Sequence, residues 1–269
     1  MSGNTRKYIR AVLVMALVIS SAMMIQKYTQ YANADRSSEL AVDLAQGEEM
    51  IELEEEAVPL AGLPESPWSE EPLAENVQFL ADLDLDALKE VNQEVLGWIH
   101  VPDTELSYPL LQTDNNDTYL NKSWDGKKNS AGSIFLETKN PSDFSAFNTI
   151  IYGHRMTNNS MFGTLRHYTT QEYLAEHPYI YIASEEEVRR YEIFSAYEAP
   201  VTSPTYWLNI EKEAHITKAL EHFIGSSVIQ GAVTPTKEDQ VITLSTCTGT
   251  GTYHSRWVVQ AMLVDRWQR

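Results

Sequence analysis

Val241-Ile242-Thr243-Leu244-Ser245-Thr246-Cys247 is a β-branched run that stops at the only cysteine of the chain. Its composition predicts a buried strand with Cys247 at the end. Thr248-Gly249-Thr250-Gly251-Thr252 reads as a loop, and Arg256-Trp257-Val258-Val259 opens another strand. Nine positions separate Cys247 from Arg256, enough for a hairpin-like return that brings the two rims together. A side chain at a strand end is held by a rigid element, which suits a nucleophile.

Working outward, further β-like runs occur at 96–101, 133–136, 149–152, 180–183, 191–197 and 257–264. Pro102-Asp103, Asp125-Gly126 and Asn140-Pro141 punctuate them as turns. One helical stretch, 210–223, interrupts the series. Ahead of it, Phe79, Leu80, Leu83, Leu85, Leu88, Val91 and Val95 recur at helical spacing, predicting two helices or one broken helix leading into Gly97-Trp98-Ile99. No internal repeat is visible. Many short strands and few helices predict a mainly β domain closed, or nearly closed, into a barrel.

The N-terminal quarter has a different character. Arg6, Lys7 and Arg10 precede an apolar run from Ala11 to Ile25, which predicts a signal anchor over 1–34. This places the chain in the cytoplasmic membrane as a single-pass protein, with everything downstream on the outer side. Ala32-Asn33-Ala34 also satisfies a small-x-small cleavage pattern, so a removed signal peptide is the other reading. Residues 35–75 hold thirteen acidic residues against Arg36 alone, and Pro59, Pro64, Pro67 and Pro72 fall in their second half. Such a stretch buries too little apolar surface to offset its ordering entropy, and predicts an extended spacer, with a transient helix open to the part from Glu39 to Glu56. Its charge of -12 accounts for most of the net -18 of the chain. A surface this acidic excludes a nucleic-acid partner. The folded domain is expected over 76–269.

A lone cysteine forms no internal disulfide. Cys247 reads either as a buried structural residue or as a reactive thiol. Asn148-Thr149-Ile150-Ile151-Tyr152-Gly153-His154 is a second apolar strand, ending in Gly-His. A lone histidine such as His154 is more often structural than catalytic; beside Cys247 it gains a chemical use. A thiol needs a cationic neighbour to ionise at neutral pH. Amide cleavage needs a proton donor for the leaving amine, and the tetrahedral oxyanion needs donors aimed at it, which a permanently charged arginine supplies. Cys, His and Arg together make an acyl-transfer set.

Thr243-Leu244-Ser245-Thr246-Cys247 with Arg256, preceded by Tyr152-Gly153-His154, resembles the sortase signature, and the class B subgroup most of all. Gly132-Ser133-Ile134-Phe135-Leu136, Ser160-Met161-Phe162-Gly163, Phe194-Ser195-Ala196-Tyr197, Gly97-Trp98-Ile99 and Tyr108-Pro109 extend the resemblance from about residue 80 to the C-terminus. It implies an eight-stranded sortase-type β-barrel with N-terminal helices and a helix in the loop before the cysteine strand. It also implies a cysteine transpeptidase that cleaves a C-terminal sorting motif (NPxT- or LPxT-like) of secreted surface proteins through a thioester. The acyl group then passes to an amine of the peptidoglycan precursor lipid II, or to a pilin lysine; a hydrolytic cysteine protease shares the same triad. No cofactor or metal is expected. By position, His154, Cys247 and Arg256 match the catalytic residues, while Asn116, Tyr152, Tyr206, Ser245 and Thr246 fall at substrate-contacting positions. Strand packing is the alternative reading for Tyr152 and Ser245. The Thr-Gly loop after Cys247 departs from the charged loop common in class B.

Overall fold

The computed structural model describes residues 3–46, 68–247 and 254–269. The predicted loop at 248–252 and the spacer from 47 to 67 lie outside them. The strands are β1 (Val95–His100), β2 (Ser107–Leu111), β3 (Ile134–Leu136), β4 (Asn148–Tyr152), β5 (Tyr179–Ala183), β6 (Glu187–Pro200), β7 (Val241–Cys247) and β8 (Ser255–Gln268). They close into a barrel in the order β1-β2-β3-β4-β7-β8-β6-β5. The mainly β, eight-stranded reading therefore holds.

Alternation along the strands sorts the core into two layers. Ile99, Ile134, Ile151, Ile182, Ile193, Leu244 and Val259 come from seven different strands and fill the interior. Trp98, Phe135, Tyr181 and Val188 point the other way, and meet Val77, Leu80 and Leu88 from a 3-10 turn (Glu75–Leu80) and α2 (Leu85–Val91). Helix α2 starts at an Asp84 cap whose side chain accepts the Ala87 N–H. These elements answer to the broken helix expected before Gly97, although Val95 already belongs to β1. Gly97 is required where it stands: a Cβ there would meet the Ala183 carbonyl oxygen at 2.0 Å. A short helix α3 (Gln171–Glu176) precedes β5, and α4 (Glu213–Ser226) covers Phe194 and Val241 with Ala219, Leu220 and Phe223. Helix α4 is the helix expected at 210–223, displaced three residues toward the C-terminus.

Strand β2 was not foreseen from composition, because Pro109 interrupts its run. The strand tolerates the proline by pairing with β1 across Pro109 and with β3 only at Leu110 and Leu111.

The N-terminal expectation is corrected. Helix α1 spans Gly3–Gln46, and among the described residues no helix is long and apolar enough to cross a membrane. The physical reason is length: the apolar run from Ala11 to Ile25, between Arg10 and Lys27, falls short of the roughly 20 residues a span requires. The single-pass localisation falls with it. Residues 35–46, expected as extended spacer, are helical, and Ala34, Ala41 and Ala45 of α1 are buried. The backbone N–H of Asp84 donates to the Ala45 carbonyl at 2.7 Å, fastening this end of α1 to the start of α2.

Candidate active site

Two pairings bring the sequence motifs together. Strands β4 and β7 run parallel with Tyr152 opposite Ser245, so two residues further on His154 and Cys247 stand level at one rim. Strands β7 and β8 run antiparallel with Cys247 opposite Arg256. The backbone thus gathers three residues separated by as many as 102 positions at one end of the barrel.

His154 is held on the side away from β7. Its Nε2 lies 2.8 Å from the carbonyl oxygen of Leu120. A carbonyl only accepts, so Nε2 carries the proton. Leu120 ends a 3-10 turn (Thr118–Leu120) fixed from behind by Asn115, whose Oδ1 accepts the N–H groups of Asp117 and Thr118 at 2.9 Å each. The buried Tyr119 hydroxyl is bonded to Glu94 and to Asn92. Gly132, at φ +62, lets the loop pass close by: a Cβ there would meet the Tyr119 carbonyl oxygen at 2.5 Å and His154 Cδ2 at 3.0 Å. Past His154 the chain folds back, with an Arg155–Met161 bridge and a Phe162 N–H to His154 carbonyl bond of 3.0 Å.

One wall of the rim is organised by a residue that sequence reasoning missed. Glu137, buried just after β3, accepts from Asn116 Nδ2 at 2.8 Å and from the Tyr152 hydroxyl at 3.0 Å, both on Oε2. Its Oε1 accepts the Lys139 N–H, and Asn116 Oδ1 accepts the Thr138 N–H. Burial first, and then the charge of Glu137, push the Tyr152 phenol well above its ordinary range, so it stays a neutral donor to the carboxylate. Nothing in the local sequence marks Glu137, since a carboxylate beyond a strand end ordinarily faces water.

Tyr206, from a 3-10 turn (Pro204–Tyr206), reaches the rim through Ser245: its hydroxyl sits 2.8 Å from Ser245 Oγ. That turn is anchored internally. The Thr205 carbonyl accepts from Asn148 Nδ2 at 3.0 Å, and its hydroxyl bonds Tyr197 at 2.8 Å. The chain of bonds continues through Gln260 and Thr243 back to Asn148. Thr246 is buried, and its Oγ1 has no hydrogen-bond partner among the described residues.

Asn116, Leu120, Phe135, Tyr152, Gly153, His154, Ser245, Thr246 and Arg256 line one cleft of ≈ 220 Å³. Six predicted residues therefore share a single cavity. Tyr206 joins them through Ser245, and Cys247 through its backbone place at the end of β7. Among the described residues no group of three or more His, Cys, Asp or Glu is placed to hold a metal.

Comparison with known proteins identifies the family of the domain. A Sortase domain family model covers residues 99–264. Sortase B of Listeria monocytogenes serovar 1/2a is 37% identical over 188 residues, 68% of this chain and 75% of that protein. Sortase B of Staphylococcus aureus is 32% identical over 162 residues, 60% of this chain and 66% of that protein. Among solved structures, the S. aureus sortase B–substrate complex has a TM-score of 0.63 at 30% identity, covering 67% of this chain and 84% of that one. Bacillus anthracis sortase B in complex with AAEK1 has a TM-score of 0.67 at 30% identity, covering 88% and 99%. With its barrel and the order of its motifs, the chain belongs to the sortase family, and its relatives in sequence and in structure are class B sortases.

Proposed function

We propose that the chain is a cysteine transpeptidase in which Cys247 is the nucleophile, His154 the acid and base, and Arg256 the oxyanion-side cation. The observation that carries this reading is the register of β4, β7 and β8, which levels the three residues at one rim. The thiolate adds to a backbone carbonyl of the bound sorting motif, and the negative charge that develops on oxygen is met by the Arg256 guanidinium. Because Nε2 of His154 is committed to Leu120, Nδ1 gives its proton to the departing amine as the C–N bond breaks. The thioester on Cys247 is then attacked by an acceptor amine. Neutral Nδ1 removes the amine proton, the new amide forms, and the thiolate leaves. Imidazolium and thiolate are restored together.

Asn116, Tyr152, Tyr206, Ser245 and Thr246 form the walls that hold the peptide. Tyr152 and Tyr206 supply aromatic faces, and the unpartnered Thr246 hydroxyl offers a hydrogen bond that bound peptide would complete. The solved S. aureus sortase B–substrate complex supports a peptide substrate for this cleft. The acceptor is read as a peptidoglycan-precursor amine.

The test uses the full chain and its Cys247→Ala variant with NPxT- and LPxT-type peptides, with and without a glycine-based amine. Mass spectrometry should find an acyl adduct on the parent alone, resolved to a peptide–amine product. Hydrolysis unchanged by amine would replace transpeptidation with proteolysis.

A further inference from the structure

Two loops hold His154, and both are fastened to the same stretch of α1. The first is the connection from β2 to β3, which supplies the Leu120 carbonyl. Within it Trp124, only 4% exposed, donates its Nε1–H to the Ser37 carbonyl of α1 at 2.7 Å. A helical carbonyl has a second lone pair, so this bond costs α1 none of its own. The second loop is the turn that follows His154. There Thr157 Oγ1 shares a hydrogen bond of 2.7 Å with the Tyr31 hydroxyl.

Tyr31, Ala34 and Ser37 recur every third residue and therefore lie along one face of α1. Ala34, between the two polar contacts, is 2% exposed and belongs to the core cluster that contains Tyr108 and Met161. The Tyr108 hydroxyl in turn accepts the Met161 N–H at 3.0 Å, and Met161 closes the turn after His154. Ala34, Tyr108 and Met161 border a void of only ≈ 10 Å³. A leucine in place of the buried Ala34 would have to displace these neighbours.

We propose that residues 31–37 of α1 are a positioning element for His154. Through Trp124 and Tyr31 they set the two loops that fix the imidazole, without touching the reacting atoms. The inference rests on the reading of His154 as the acid and base.

The experiment uses the full chain carrying Trp124→Phe, which keeps the ring and removes the donor, or Ala34→Leu, which wedges the helix off its seat. One readout does not need turnover: solvent exchange of the His154 Nε2 proton, followed by NMR of ring-labelled protein. It should quicken about fivefold on loss of one supporting hydrogen bond. The other readout is thioester formation at saturating peptide, which should fall about tenfold for a sub-ångström misplacement while KM stays within about twofold. Should either variant fail to fold, Tyr31→Phe, at an exposed contact, carries the same test on the second loop. Folded variants with parental proton exchange and parental acylation would overturn the inference. If proton exchange quickens as expected while no peptide acylates even the parent, the positioning stands and the transpeptidase reading falls.

Discussion

The Leu120 carbonyl oxygen accepts the Nε2 proton of His154 at 2.8 Å, and 34 residues of chain, including β3 and β4, separate the two. This bond fixes the tautomer of the imidazole, and in the proposed mechanism proton transfer then falls to Nδ1. Its geometry depends on Gly132, whose φ of +62 keeps the loop beside His154 free of a Cβ. Gly132→Ala would add about 1–2 kcal/mol of left-handed backbone strain, and its methyl would press on Tyr119 and His154. Acylation should fall by more than tenfold with little change in peptide KM. Stopped-flow thioester formation and denaturant melts on the same sample separate the two effects.

Glu137 holds Asn116 and Tyr152 on one oxygen. Glu137→Gln leaves one acceptor oxygen: on the Oε2 side it forfeits the Lys139 N–H and the charge that strengthens both wall bonds, on the Oε1 side it forfeits Asn116 and Tyr152 together, at a cost of about 1–3 kcal/mol. Because both partners form a wall of the cleft, KM for the sorting peptide should rise more than kcat falls. Tyr152→Phe in the Glu137→Gln background should add less than it does alone. Steady-state kinetics of the two single variants and the double variant decide this; strictly additive effects would separate the two side chains.

The Tyr206–Ser245 pair bridges β7 and the Pro204–Tyr206 turn at 2.8 Å. A double-mutant cycle with Tyr206→Phe and Ser245→Ala should give a coupling energy of about 1 kcal/mol in kcat/KM. A coupling of zero would show that the two hydroxyls contribute independently of each other.

The strand ending at Cys247 and the Gly-His end of β4 were legible because both strands are buried on two sides and carry unbroken β-branched runs. Parallel pairing of β4 with β7 follows from three-dimensional closure and left no mark in either segment. Pro109 hid β2, whose partners are asymmetric. The seat of α1 was hidden for another reason: its contact residues are Ala34, Ala41 and Ala45, which carry little hydrophobic signal amid acidic neighbours. Composition therefore read as a spacer where small residues allow close helix packing. Glu137 was invisible because its meaning lies in Asn116 and Tyr152, 21 and 15 positions away.

His100 predicts an acid limit to stability. Burial, against an opposing pull from Asp103, lowers its pKa from 6.5 to about 4, and its ring meets Phe79 edge-on at 5.1 Å. The unfolded chain therefore binds a proton between about pH 6.5 and pH 4 that the folded chain does not. Stability from this group is complete above 6.5 and is lost as pH falls toward 4, by up to about 3 kcal/mol. His100→Gln should flatten this part of the acid dependence relative to the parent, measured by urea unfolding at pH 7 and 4.5. Parallel losses in parent and variant would assign the acid limit to other groups.

Whether Cys247, His154 and Arg256 act together is decided by intact-protein mass spectrometry of the full chain after incubation with a panel of NPxT- and LPxT-type peptides. It is run beside Cys247→Ala, His154→Ala and Arg256→Ala. An acyl thioester should form on the parent and not on Cys247→Ala, and its formation should slow by about a hundredfold or more when either partner is removed. A parental rate in His154→Ala or Arg256→Ala, or an adduct that persists in Cys247→Ala, would contradict that joint action.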